Sequence, residues 1–231
     1  MSKNSLAELL QLETPPVAIS FVDTPPAGVA RVSAPEPAGC SYWRRAAAGE
    51  VFFTTADDHK RCPVGAHTHH VPLTSSERDE LMGLVKTMVD LSYLKMEDVP
   101  KIARRSTPLQ TAVYAPLPLA PLPPDVVLVR GNSRQLMLLA EASEHAGVAG
   151  ATPAMGRPTC AVLPEAINAS RTAVSFGCVG NRVYTGASDS EAYFAIPGQH
   201  IGAVERSLAT IVRANEALET FHRQRRASTA P

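Results

Sequence analysis

No run of apolar residues in this sequence approaches the roughly 20 that a membrane-spanning helix needs. Neither sign of charge is in excess: lysine and arginine number 22, aspartate and glutamate 22, and the formal net charge is zero. A polyanionic partner such as nucleic acid is therefore not expected, and the basic cluster Arg223, Arg225 and Arg226 reads as a solvated helix end. There is no Gly-x-Gly-x-x-Gly, and the stretch Gly150 to Gly156 lacks the Gly-Lys-Ser/Thr that would make it a phosphate loop. No serine nucleophile elbow is present, which argues against acyl transfer by serine. Cys-x-x-Cys is missing too, and with it the usual zinc ribbon and ferredoxin patterns. Met1-Ser2-Lys3-Asn4 leads directly into a helix-like segment without a secretory apolar region, so a cytoplasmic chain is expected. In a reducing cytosol the cysteines would be left to packing, metal ligation or chemistry.

What is present is balanced and ordinary in bulk: 231 residues, 45% apolar and 19% charged, enough for one large domain or two intimate halves. Four cysteines stand out because they form two matched pairs, Cys40 with Cys62 and Cys160 with Cys178. The apolar run after Pro15-Pro16 (Val17 to Phe21) parallels the one after Pro124-Asp125 (Val126 to Val129). Each run leads to a cysteine, an alanine-containing helical stretch, a second apolar run, and a cysteine next to Val-Gly. Those endings are Cys62-Pro63-Val64-Gly65 and Cys178-Val179-Gly180, and an amphipathic helix is expected after each. Such self-similarity reads as a degenerate internal duplication giving two pseudo-equivalent halves. The division expected is 1–107, a proline-rich connector over 108–124, and 125–231, together forming one compact unit.

Local signals support alternating strands and helices, hence an α/β or mixed α+β fold. Ser5 to Leu12 reads as a helix stopped by Pro15-Pro16, and Val17 to Phe21 as a buried strand. A helix over 41–48 and a strand over 51–55 follow. Thr74-Ser75-Ser76-Glu77 is a capping box opening a helix with Leu81, Leu84, Val85, Met88 and Leu91 at helical spacing. In the second half a strand precedes Gly131, and a helix runs from Arg134 to about Ala146, with Ser133 as a candidate N-cap. The last helix carries an apolar stripe, Ile201, Val204, Leu208, Ile211, Val212, Leu218 and Phe221, expected to face the core.

Thiolates are soft anionic ligands, and four of them suit an iron–sulfur cluster or zinc. Cys40 and Cys160 are expected to open helices, where backbone N–H groups stabilise an anion. Cys62 and Cys178 are expected where a short strand runs into a glycine turn. Buried free cysteine also serves as a small hydrophobe, so structural packing is the competing reading. Cys62 with His67 and His69 offers a zinc alternative, and Asp58 and His59 are candidates for a catalytic base or proton shuttle. In the other half Arg157, Asn181 and Arg182 lie beside cysteines, where an arginine can bind an anionic substrate. Arg44 and Arg45, adjacent on a helix, must point in different directions, so one at most reaches a site.

A resemblance reinforces the cysteine pattern. Pro15-Pro16-Val17-Ala18, Cys40-Ser41-Tyr42-Trp43, Asp57-Asp58-His59 with Cys62-Pro63-Val64-Gly65, and Tyr114-Ala115-Pro116-Leu117 carry it in the first half. Pro124-Asp125-Val126-Val127, Gly156-Arg157-Pro158-Thr159-Cys160 and Gly177-Cys178-Val179-Gly180-Asn181-Arg182 carry it in the second. Over nearly its whole length the chain resembles the uncharacterised prokaryotic domain-of-unknown-function family 169. That resemblance implies a full-length member and no particular reaction. Members often carry tyrosine or phenylalanine and asparagine where Lys60-Arg61 stands here, and the histidines at 69 and 70 look peculiar to this chain. The expectation is a cytosolic protein holding a cysteine-ligated iron–sulfur cluster between its halves, acting as a redox or Lewis-acid enzyme on a small anionic metabolite. The alternative is a metal-free small-ligand binding or sensor domain whose cysteines are structural. A homodimer is the default for an enzyme of this size.

Overall fold

The computed structural model describes residues 5–150, 152–153 and 158–228. A mixed sheet of eight strands runs through it, with helices on both faces, the mixed α+β arrangement anticipated. The first half supplies β1 (Val17–Val22), β2 (Ala30–Arg31), β3 (Phe52–Thr55) and β4 (Thr111–Pro116). The second supplies β5 (Val126–Asn132), β6 (Thr152–Pro153), β7 (Ala173–Ser175) and β8 (Glu191–Pro197). Across the sheet the order is β2-β3-β4-β1-β5-β8-β7-β6, so each half lays down its strands in the same order, outward from the centre. Pairing repeats as well: β2 with β3 and β6 with β7 are parallel, and the neighbouring pairs further in are antiparallel.

At the centre β1 and β5 run antiparallel with Val17 opposite Leu128, Ala18 opposite Val127 and Ile19 opposite Val126. Val17 also pairs with Pro116 on β4, and Val126 with Pro197 on β8. Val17 and Val126 therefore hold corresponding places, and exchanging the halves maps the central pairing onto itself.

Strand alternation sorts the core into two layers. Val17, Ile19, Tyr114, Val126, Leu128 and Ala195 point to one face, and Val127, Val129, Phe194 and Ile196 to the other. The second face is covered by α1 (Leu6–Leu10), α5 (Ser133–His145) and the first half of α8 (Ile201–Ser228). α1 starts with a Ser5–Glu8 capping box and ends at Gln11, whose φ is +53°, short of the predicted Leu12. The first face is covered by α2 (Gly39–Ala47), α3 (Pro63–Thr68) and α6 (Val162–Ala169), with α7 (Val179–Thr185) against α2. α2 packs on β4 and α6 on β8, again corresponding places. Fully burying a Leu, Val or Phe side chain of these layers is worth ~1.5–3 kcal/mol.

Several local expectations change. The connector begins later than residue 108, because Thr111–Pro116 is a strand buried along its whole length. Its alternating Thr-Ala-Val-Tyr-Ala sequence packs on both faces, so no polar side marks it as a strand. The helices expected after the paired Cys–Val–Gly segments are not equivalent: α4 (Ser75–Asp90) precedes β4, whereas α8 follows β8. On α8 only the proximal apolar residues reach the core; Leu218 and Phe221 are 56% and 54% exposed. The cap of α5 is Asn132, not Ser133, because the Asn132 side chain accepts from Gln135 N–H. Gly198 lies against the chain leading into β5, where a Cβ would stand 1.6 Å from the Pro124 carbonyl oxygen. No helix among the described residues is long and apolar enough to cross a membrane.

Candidate functional site

The repeated topology carries each cysteine to the same side of the sheet. Cys40 sits in the first turn of α2, and Cys160 in the 3-10 turn Thr159–Ala161 that leads into α6. Each of Cys62 and Cys178 is the N-cap of a short helix, α3 and α7; Cys178 follows β7 through the left-handed Gly177, as expected, whereas Cys62 follows a 3-10 turn. Their sulfurs accept the N3 amides, Gly65 N–H at 3.3 Å and Asn181 N–H at 3.4 Å. Thr159 Oγ1 accepts the Cys178 N–H at 2.6 Å, tying one paired segment to the other. Glycine at 65 is part of this fit, since a Cβ there would meet the Cys62 sulfur at 3.0 Å.

All four cysteines open onto one cavity of about 480 Å³, walled by α2, α3, α4, α7 and the Thr159–Ala161 turn. None is in a disulfide. Burial pushes the Cys40 thiol up to about 12, the Asn181 amide opposing it and Cys62 and Cys178 adding to it. The Cys160 thiol is raised well above its ordinary range, again first by burial, and it senses Cys62, Cys178 and Cys40. Both are protonated, weakly nucleophilic thiols at neutral pH unless a cation replaces the proton. Among the described residues no group of three or more histidine, cysteine, aspartate or glutamate side chains stands in a ready metal-holding arrangement.

The other expected site residues divide. Asn181 lines the cavity; it is 1% exposed, and neither amide atom has a hydrogen-bond partner. Arg182 turns away, donating to the Phe176 carbonyl at 2.5 Å and to the Ser188 and Glu191 carbonyls, and pairing with Asp189. Arg157 lies outside the described residues. Asp58 is buried behind the site, held by Arg31 at 3.0 and 3.1 Å and capping its own 3-10 turn through Thr55 N–H at 2.7 Å. Burial alone would raise the Asp58 carboxyl, but Arg31 and the Thr55 donors outweigh it and leave the group below its usual range.

His59 and His69 form a buried pair with stacked rings, 5.1 Å between centroids, under Tyr42 and Tyr114. His59 Nε2 shares a 2.9 Å hydrogen bond with Thr54 Oγ1, and its Nδ1 has no partner. Burial, reinforced by His69, holds His59 well below the ordinary histidine range. His69 Nδ1 lies 2.8 Å from the Gly65 carbonyl, and Thr68 Oγ1 stands 3.2 Å from the same nitrogen. Of the zinc alternative, Cys62 and His67 line the cavity, while His69 is set in the core beneath. Burial, then Arg104 and His70, lower the His67 pKa.

Sequence reasoning did not place α4 in this site. Leu81, Met82, Leu84, Val85 and Met88 form one wall, with Tyr93, Leu94, Val99 and Ile102 beyond. The capping box and helical spacing announced the helix, but periodicity says nothing about what an apolar stripe faces. Arg61 at the rim was noted only as a departure from a family pattern. Neither Arg44 nor Arg45 lines the cavity, and Arg45 is engaged by Glu50 and Glu36.

Compared with known proteins, residues 5–207 match the model of the family DUF169, described as "Uncharacterised ArCR, COG2043". That span holds every strand among the described residues and all four cysteines. No curated protein and no solved structure matches the chain.

Proposed function

The chain belongs to the DUF169 family, and we propose that it binds a metal–sulfur centre, an iron–sulfur cluster, at the cysteine end of its cavity. One observation carries this reading: four cysteines, from corresponding positions in two halves of the sheet, open on a single space. Packing alone has no reason to bring all of the chain's thiols to one cavity wall. Cys40, Cys62, Cys160 and Cys178 would hold the centre, and the Gly65 and Asn181 amides already donate to two of the sulfurs. Such amide donors stabilise thiolate charge.

Bound there, an iron–sulfur cluster supplies electron transfer, or Lewis acidity if one iron is left open. The chain's own part is to exclude water with α4, to present the unpaired Asn181 amide at the cysteine wall, and to offer Arg61 to an anionic group entering at the rim. A reducing compartment such as the cytosol would keep the thiols free. The same repetition of strand order supports an origin of the two halves by duplication.

A second reading, a metal-free binding or sensor domain, is favoured by the size of the cavity and by its largely carbon walls. Anaerobic purification with a visible spectrum and iron, sulfide and zinc analysis decides between them. The expected result is brown protein with iron and sulfide, bleached in Cys178→Ser while the fold persists. Zinc without sulfide would replace the cluster by a Cys/His site. Colourless, folded, metal-free protein that also takes up no iron and sulfide on reconstitution would sink the metal reading and leave the sensor.

A further inference from the structure

After α3 the first half inserts residues 69–110 before β4, whereas after α7 the second half needs only 186–190 to reach β8. The extra segment departs from the repeat, and it is what closes the cavity. It carries α4 and the 3-10 turn Met96–Lys101, whose surroundings complete the wall. Of all residues on α4 only Val85 is buried. Met82 and Leu84 line the cavity and still stand 48% and 39% exposed. A helix is normally held by what its apolar face covers, yet here much of that face looks into open space. The space lies within the range of small-molecule sites, roughly 300–1,000 Å³.

We infer that this cavity takes an organic molecule with a hydrocarbon or aromatic body, laid along α4 towards the cysteines, with one polar or anionic end at the Arg61 rim. A hydrophilic metabolite such as a sugar would leave its hydroxyls unpaired against Leu81, Val85, Met88 and Ile102. This narrows the substrate class of the site proposed above and rests on that cavity being the working site, not on which metal the cysteines hold.

The test is titration of the full chain with N-phenyl-1-naphthylamine, an uncharged aromatic fluorophore, with and without prior metal removal. Saturable one-to-one binding is expected. Leu81→Trp and Met88→Trp, which fill the space from its wall, should weaken it by tenfold or more, on the order of one lost side-chain burial. Leu218→Ser, on the distant exposed part of α8, should leave it unchanged. Circular dichroism and melting check that the tryptophan variants fold. Independently of any variant, the fluorophore should slow alkylation of Cys62 and Cys178 by N-ethylmaleimide in metal-free protein, whereas glucose should not. Non-saturable binding, equal binding by folded tryptophan variants, or no protection of the cysteines would overturn the inference. Iron content is read separately: Cys178→Ser that loses iron but keeps the fluorophore leaves this inference standing, and iron bound without the fluorophore defeats it alone.

Discussion

At the scale of single residues, environment separates side chains that the sequence lists side by side. Asp58 and His59 are neighbours, yet Asp58 is an ion-paired cap and His59 a neutral core group stacked on His69. The chemical types were legible; their roles were not, because a role depends on burial and on what comes from distant segments such as Arg31. The buried histidines have a consequence for pH. Burial, the largest influence, takes His69 from the ordinary 6.5 down to about 4, with Arg105 lowering it further and the Gly65 carbonyl opposing. Between those values the unfolded chain binds a proton that the folded chain refuses, so stability falls as pH drops from 6.5 to about 4 and this contribution levels below. The gap is on the order of 3 kcal/mol. Melting temperature followed over that window should fall less steeply in His69→Gln than in the parent; identical slopes would remove His69 from the account.

At the scale of elements, periodicity announced helices and strands but not their partners. α8 shows this best. Val204 and Leu208 are buried in the layer where α8 packs on α5 and α1, whereas the same stripe one turn after another leaves the domain and ends in exposed Leu218 and Phe221. Leu208→Ala should cost about 2–5 kcal/mol as a core truncation, and Leu218→Ala should stay within about 0.5 kcal/mol. Urea denaturation of the two variants makes the comparison, and similar losses would mean that distal α8 is covered in solution. β4 failed in the opposite way: buried on both faces, it has no polar alternation, and the prolines that follow it drew attention to the next stretch. The short helices α3 and α7 were hidden because a cysteine N-cap is rare beside the serine, threonine, asparagine and aspartate that usually signal one.

At the scale of the whole molecule, the halves are joined through their central strands, not by a linker between independent cores. β1 pairs with β5, and one core layer draws Tyr42 and Trp43 from the first half together with Val162, Leu163 and Tyr193 from the second. Trp43 is buried with its ring 5.6 Å from that of Tyr193, so its fluorescence reports on the contact between halves. Urea unfolding followed by Trp43 emission and by far-ultraviolet circular dichroism should coincide in one transition; separated midpoints would show halves that melt alone. The amino-acid sequence by itself determined the alternation of elements and the pairing of cysteine segments, because these follow from local propensity and pattern along the chain. Only the tertiary structure decided that four thiols share one cavity, that His69 belongs to the core, and that α4 walls the site. Those outcomes depend on strand order across the sheet, which brings together residues more than a hundred positions apart and which no local periodicity encodes.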